Sequence, residues 1–143
     1  MIAIASDHGG FALKEKVKEF LEKKGLEYKD FGCYDTASCD YPDYAKPAAK
    51  AVASGECEKG IVICTTGIGV SICANKVPGV RCALCSDPVT ARLTRQHNDT
   101  NVVAIGAGVV GELLALEIID IFLSTEFSNE PRHMRRVEKM EQD

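Results

Sequence analysis

One stretch, residues 60–76, constrains the fold more than any other part of the chain. It begins with β-branched apolar residues at 61–63, which are typical of a strand buried in a parallel sheet. Two glycines, Gly67 and Gly69, follow in a short polar loop, and a helix is predicted from Ser71. Backbone N–H groups at a helix start lack intrahelical partners. The stretch therefore predicts a loop that binds an anion or stabilises a developing oxyanion.

The alternation of apolar and helical segments extends this unit to the whole chain. Strands are predicted at 2–6, 26–31, 60–64, 80–85 and 101–105; helices are predicted at 11–24, 45–53, from 71, from 88 to about 96, at 111–123 and from 131. This pattern indicates a doubly wound, Rossmann-like three-layer α/β sandwich with a five-stranded parallel sheet and a C-terminal helix. Its 143 residues suffice for one domain with its own core.

Composition excludes several classes of protein. A net charge of −4 disfavours a general nucleic-acid-binding role. No apolar run approaches the roughly 20 residues that a membrane span needs, so no membrane role is expected. Seven cysteines, an odd number, without a secretory segment predict free thiols in a reducing cytoplasm.

Polar residues follow three of the predicted strands, where ligands bind in such folds. They are Asp7-His8, Cys64-Thr65-Thr66 and Ser86-Asp87. His97 and Asn98 instead close the fourth helix, so they would have to reach a site from elsewhere.

Three motifs require interpretation. Cys64 lies where a helix N-terminus favours a thiolate. From spacing alone, a buried and inert cysteine is the alternative. A C-x5-R phosphate loop is excluded, because Val70 stands where the arginine would be. Cys82-Ala-Leu-Cys85 lies within a predicted strand, so its thiols should face opposite sides of the sheet. Gly106-Ala-Gly108-Val-Val-Gly111 matches G-x-G-x-x-G, but no strand with an acidic residue follows, which indicates a tight turn rather than a dinucleotide site.

Four motifs, in order, carry a resemblance over nearly the whole chain. They are Ser6-Asp7-His8-Gly9-Gly10-Phe11, Asp40-Tyr41-Pro42-Asp43-Tyr44-Ala45, the loop from Cys64 to Lys76 and Arg95-Gln96-His97-Asn98-Asp99-Thr100-Asn101. The chain resembles the type B ribose-5-phosphate isomerases, whose family includes allose- and galactose-6-phosphate isomerases. The resemblance implies a Rossmann-like enzyme that uses no metal or cofactor and forms homodimers or homotetramers, with a sugar phosphate bound at the subunit interface.

The resemblance also implies catalytic roles. Cys64 would be the base that moves a proton between C2 and C1, and Val70 fits the branch that uses cysteine rather than a glutamate at that position. Thr66 would help to hold the enediolate. His97 of the partner subunit would help to open the sugar ring, with Asp7 assisting.

The remaining residues implied by the resemblance bind the substrate. Backbone amides around Gly67, Gly69 and Ser71 would hold the enediolate, Tyr41 and Asn98 would contact sugar hydroxyls, and His8, Arg132 and Arg136 would bind phosphate. The two arginines share one helix face, a pattern that also fits a solvated charged helix.

Gly108 departs from the family, because many members carry arginine there. The preferred sugar therefore stays open between ribose 5-phosphate, allose 6-phosphate and another aldose. A non-catalytic phosphate-binding module on the same fold is the other hypothesis.

Overall fold

A computed structural model describes residues 1–142, in which five strands and six helices alternate. They are β1 (Ile2–Ser6), α1 (Phe11–Lys23), β2 (Tyr28–Asp30), α2 (Pro42–Ala53), β3 (Lys59–Cys64), α3 (Ile68–Asn75), β4 (Cys82–Leu84), α4 (Pro88–Asn98), β5 (Val102–Gly106), α5 (Glu112–Ser124) and α6 (Pro131–Met140). No helix in the described residues is long and apolar enough to cross a membrane.

The strands form one sheet in the order β2-β1-β3-β5-β4, and every neighbouring pair is parallel. The predicted five-stranded parallel sheet is therefore confirmed. All carboxyl ends lie at one edge, and the chain winds outward in opposite directions from β1 and β3. The crevice between those two strands is where ligands bind in open α/β sheets.

Both faces of the sheet are covered, which confirms the three-layer architecture. Helices α2 and α3 pack small side chains such as Ala48 and Ala74 on one face. Helices α1, α4 and α5 pack on the other face, where α5 buries Ile118 and Phe122. Cys82 packs against the first of these layers and Cys85 is buried in the second, as the strand period predicts.

Several predicted boundaries are wrong by a few residues. Helix α3 begins at Ile68 rather than Ser71, because Gly67 has a φ of 77° and turns the chain at once. Helix α2 begins at Pro42 rather than at residue 45, since proline suits the first helical position. The outer strands β2 and β4 are shorter than predicted, because each pairs along one side only.

A buried lysine fixes the segment between β2 and α2. Lys14 is fully buried and donates hydrogen bonds to Asp30 Oδ1, at 2.6 Å, and to the Cys33 carbonyl oxygen. Asp30 also accepts hydrogen bonds from Lys18 and from the Gly32 amide. This network anchors the start of the loop that leads to Tyr41.

We expect Asp30→Asn to lower the free energy of unfolding by roughly 3 kcal/mol, because it leaves the buried Lys14 cation without its counter-charge. Burial acts to raise the pKa of Asp30, but hydrogen bonds from Lys14, Lys18 and the Gly32 amide bring it below its usual range. The stability that this pair contributes is thus present above the unfolded-state pKa and is lost as pH falls through the lowered folded-state pKa.

Urea unfolding at several pH values measures both effects. Glu56→Gln is the matched control, because it breaks the exposed pair with Lys29 and should cost about 1 kcal/mol or less. Equal losses in the two variants would contradict this account.

Candidate functional site

The strand-end cluster is a set of side chains around a cavity of about 450 Å³ at the carboxyl ends of β1 and β3. It comprises Asp7, Tyr41, Cys64, Thr66, Ile68 and Gly69. These residues come from the loops after β1 and β3 and from the starts of α2 and α3. The structure therefore brings together sequence-predicted residues from three separate motifs.

Cys64 is the last residue of β3 and is 5% exposed. The Gly67 amide donates a hydrogen bond to Cys64 Sγ at 3.1 Å. Such a donor stabilises a thiolate more than a thiol, because hydrogen bonds to an ionised acceptor are the stronger ones. A side chain at Gly67 would place its Cβ 2.9 Å from the Gly106 backbone nitrogen, so the turn needs glycine.

The first turn of α3 borders the cavity and carries backbone N–H groups. The Ile68 amide bonds Thr66 Oγ1 at 3.2 Å. Ser71 donates its amide to Gly67 O and its hydroxyl to Ile68 O, so both of its donors are used inside the helix. The amides of Gly69 and Val70 lie in the first turn, where helix geometry provides no carbonyl partner. They are the best placed to hold an anionic oxygen.

Tyr41 and Asp7 line the same cavity as Cys64. The Tyr41 ring lies directly on Gly69, where an added Cβ would come within 2.7 Å of Tyr41 Cζ. Asp7 is 7% exposed and accepts the Gly10 amide hydrogen at 3.1 Å. That hydrogen bond orients the carboxylate at the start of α1.

His8 follows Asp7 but is exposed, outside the residues that line the cavity. Its Nδ1 accepts the Cys39 amide hydrogen at 3.3 Å. In the neutral ring the hydrogen then sits on Nε2, which can donate to an anion.

The helix-end cluster comprises His97 and Asn98 with Arg81 and Arg95. His97 and Asn98 lie in the last turn of α4, which leads into the start of β5. Because β5 is parallel to β3, this is the edge of the sheet opposite to Cys64. A five-residue strand spans roughly 16 Å, so His97 does not reach the strand-end cluster of its own chain.

Two arginines hold the end of α4. Arg81 donates to the carbonyl oxygens of Asn98 and Asp99, at 3.1 and 2.7 Å. Arg95 is buried and donates to the carbonyl oxygens of Thr125 and Thr100, at 2.9 and 2.6 Å. These carbonyl acceptors lie around the end of α4, which the two guanidinium groups fix in place.

Helix α6 packs against this end of α4. The His133 and His97 rings have centroids 4.5 Å apart. Arg132 and Arg136 are exposed on α6, and Arg132 pairs with Glu130 at 2.9 Å. The structure thus groups the candidate phosphate arginines with His97, and not with Cys64.

Comparison with known proteins assigns the family. The model of the ribose/galactose isomerase family matches residues 2–140. The chain belongs to this family. Escherichia coli ribose-5-phosphate isomerase B is 48% identical over 96% of this chain and 91% of its own length.

Two solved structures agree with this family assignment. Clostridium thermocellum ribose-5-phosphate isomerase B superposes with a TM-score of 0.96 at 52% identity, covering 98% of this chain and 94% of that one. Ribose-5-phosphate isomerase B from Mycoplasma genitalium, solved with bound ribulose-5-phosphate, superposes with a TM-score of 0.93 at 41% identity. The match covers 98% of this chain and 93% of that one.

Sequence reasoning missed the residues that fix the end of α4. Arg81, Arg95 and His133 were not assigned structural roles, because charged and polar residues usually face solvent. Arg95 does stand in one of the motifs that carry the resemblance, which was the available signal. Within residues 1–142, no group of three or more His, Cys, Asp or Glu side chains is placed to hold a metal ion.

Arg95→Met should lower the free energy of unfolding by about 3 kcal/mol, because it leaves buried carbonyl groups and Asp99 without their charged donor. Amide hydrogen exchange should accelerate most at residues 97–100. Arg92→Met, an exposed change on the same helix, is the control and should stay within about 0.5 kcal/mol of the wild type. If exchange accelerated uniformly along the chain instead, the assignment of Arg95 to the end of α4 would fail.

Proposed function

We propose that this chain is a ribose-5-phosphate isomerase that interconverts ribose 5-phosphate and ribulose 5-phosphate through an enediolate, with Cys64 as the base. The observation that carries the proposal is the hydrogen bond from the Gly67 amide to Cys64 Sγ, inside a cavity that Asp7 and Tyr41 also line. The Mycoplasma genitalium relative with bound ribulose-5-phosphate supports the choice of substrate.

Proton transfer requires one base that serves two neighbouring carbons. The Cys64 thiolate takes the proton from C2, the C–H electron pair forms the C1–C2 double bond, and the aldehyde oxygen O1 becomes negative. A proton then moves from O2 to O1, the Cys64 thiol returns its proton to C1, and C2 becomes the ketone carbon. Amides of Gly69 and Val70, with the Thr66 hydroxyl, stabilise the charge on these oxygens.

Ring opening needs His97 of the helix-end cluster, and phosphate binding needs the arginines of the neighbouring helix α6. Because His97 and Asn98 lie a strand's length from Cys64 of their own chain, a partner subunit must supply them. On this account His97 helps to open the furanose ring with Asp7. Tyr41 and Asn98 contact sugar hydroxyls, and the phosphate is bound by His8, Arg132 and Arg136.

The surface around the cavity fits a homodimer, or a homotetramer built from such dimers. Four large apolar side chains border it, and each is between 45% and 64% exposed. They are Ile68, Ile72, Leu84 and Val109. Such a patch beside a half-complete site favours a symmetric interface that completes it.

Domain organisation and compartment belong to the same proposal. Residues 1–143 would act as one catalytic domain around the single sheet. All seven cysteines are free thiols, which suits the reducing cytoplasm.

Cys64→Ala should keep the fold and reduce the exchange of the C2 proton of ribose 5-phosphate by about 10²-fold or more, because the base is removed. NMR of the substrate in heavy water measures this exchange directly. Cys73→Ala is the matched control, since Cys73 is also buried on this face of the sheet but lies outside the cavity. Exchange at the wild-type rate in Cys64→Ala would rule out this base.

The range of sugars depends on position 108. Gly108 carries no side chain where many family members have arginine, so one phosphate ligand is missing and room is left. An added Cβ would lie 3.0 Å from Thr65 Cγ2 and 3.2 Å from the Thr65 carbonyl oxygen, so a side chain at residue 108 requires a small shift of Thr65. This favours turnover of longer or unphosphorylated aldoses, allose 6-phosphate among them, alongside ribose 5-phosphate.

Gly108→Arg should lower the KM for ribose 5-phosphate by roughly tenfold, because a charged hydrogen bond to phosphate contributes about 1.5–3 kcal/mol. It should raise the KM for six-carbon and unphosphorylated sugars. Gly108→Ala controls for crowding against Thr65. Unchanged KM values in a folded Gly108→Arg variant would show that residue 108 does not face the phosphate.

A further inference from the structure

Helix α6 is docked through a histidine. Its residues are mostly charged and exposed, and His133, at 6% exposure, is the one buried side chain among them in the described chain. An aliphatic side chain at this position would dock the helix without a polar group to satisfy. Burying an imidazole instead costs free energy unless its nitrogens are hydrogen-bonded. The histidine therefore requires an explanation beyond packing.

Two contacts connect His133 to the end of α4. Its ring lies against His97 at 4.5 Å between centroids, with 37° between the ring planes. Its Nδ1 is 2.6 Å from Ser128 Oγ. Ser128 in turn donates its amide hydrogen to the carbonyl oxygen of Gln96, the residue before His97. Ser128 thus fastens His133 to the same turn of helix that carries His97.

We propose that His133 is a positioning residue for His97, which it holds in the orientation needed to transfer a proton to or from the ring of the substrate. This inference rests on the proposed role of His97 in ring opening. His133 does not line the strand-end cavity of its own chain, and its buried ring contacts His97, through which it acts.

The charges around His133 keep it neutral. Burial lowers its pKa, and His97 of α4 with Arg132 and Arg136 of α6 lower it further, while Glu130 acts in the opposite direction. Ser128 Oγ accepts the Glu130 amide hydrogen at 3.2 Å, which leaves the hydroxyl hydrogen to donate to Nδ1 of the neutral ring. A neutral His133 places no cation against the face of the His97 ring.

A positioning role for His133 can be distinguished from a general structural role by comparing the two substrates of the reversible reaction. Ribose 5-phosphate is a cyclic hemiacetal that must open before C2 loses its proton. Ribulose 5-phosphate cannot close a five-membered ring, because its O5 carries the phosphate. Exchange of its C1 protons with solvent therefore needs Cys64 but no ring opening.

The experiment compares His133→Phe, His133→Ala and Ser128→Ala with Met134→Ala, an exposed control on the same helix. For each protein, NMR in heavy water measures C1-proton exchange of ribulose 5-phosphate, and a coupled assay measures kcat and KM for ribose 5-phosphate. We expect the His133 variants to lose tenfold or more in kcat for ribose 5-phosphate, while C1 exchange changes less than about twofold. Ser128→Ala should also lower kcat for ribose 5-phosphate, by a smaller factor than the His133 variants, with little change in C1 exchange.

Equal losses in the two assays, or unchanged turnover of ribose 5-phosphate, would overturn the positioning role. A wild-type protein that fails to exchange the C1 protons would instead refute the proposed function, so the two failures are distinguishable. Ser128→Ala leaves every ring in place and keeps the test valid if the His133 variants do not fold.

Discussion

The turn from β3 into α3 crosses the end of β5 at backbone contact distance, and the rest of the site depends on this crossing. A Cβ on Gly67 would lie 2.9 Å from the Gly106 nitrogen, and one on Gly106 would lie 2.5 Å from the Thr66 carbonyl oxygen. With glycine at both positions, the chain reverses within three residues after Cys64. The Gly67 amide then donates a hydrogen bond to the sulfur, and the first turn of α3 borders the cavity through Ile68 and Gly69. Because β1 is the parallel neighbour of β3, Asp7 just after the end of β1 lies beside Cys64 without a long connecting loop.

The same sheet separates the site into two halves. Strands that run in one direction place the starts of their following helices at one edge and the ends of those helices at the other. Cys64 lies at the first edge and His97 at the second, so a single chain cannot bring them together. Arg81, Arg95 and α6 fix the second edge in place, which suits the proposed insertion of this edge into the cavity of a partner subunit.

Local sequence patterns predicted the elements of the fold. The β-branched run at 61–63 gave β3, and Asp87 caps α4 through the Thr90 amide as its position before Pro88 indicates. The roles of the buried Lys14, Arg95 and His133 could not be predicted, because each also contacts a residue distant in sequence. These distant partners are Asp30, Thr125 and His97, respectively. Asp7, Cys64 and Thr66 could be found from the polar ends of the predicted strands, but Tyr41 was assigned through the family resemblance. The assignment of His97 came from the family resemblance, since the geometry of a partner subunit is not encoded in any local pattern.

Mixing two inactive variants tests most directly the claim that the site is shared between subunits. Cys64→Ala and His97→Ala proteins are exchanged by mild dissociation, and mass spectrometry under native conditions verifies the mixed dimers. Random exchange makes half of the dimers mixed, and each mixed dimer has one intact site, so activity should recover to roughly a quarter of the wild-type value. Verified mixed dimers without any recovered activity would contradict the account.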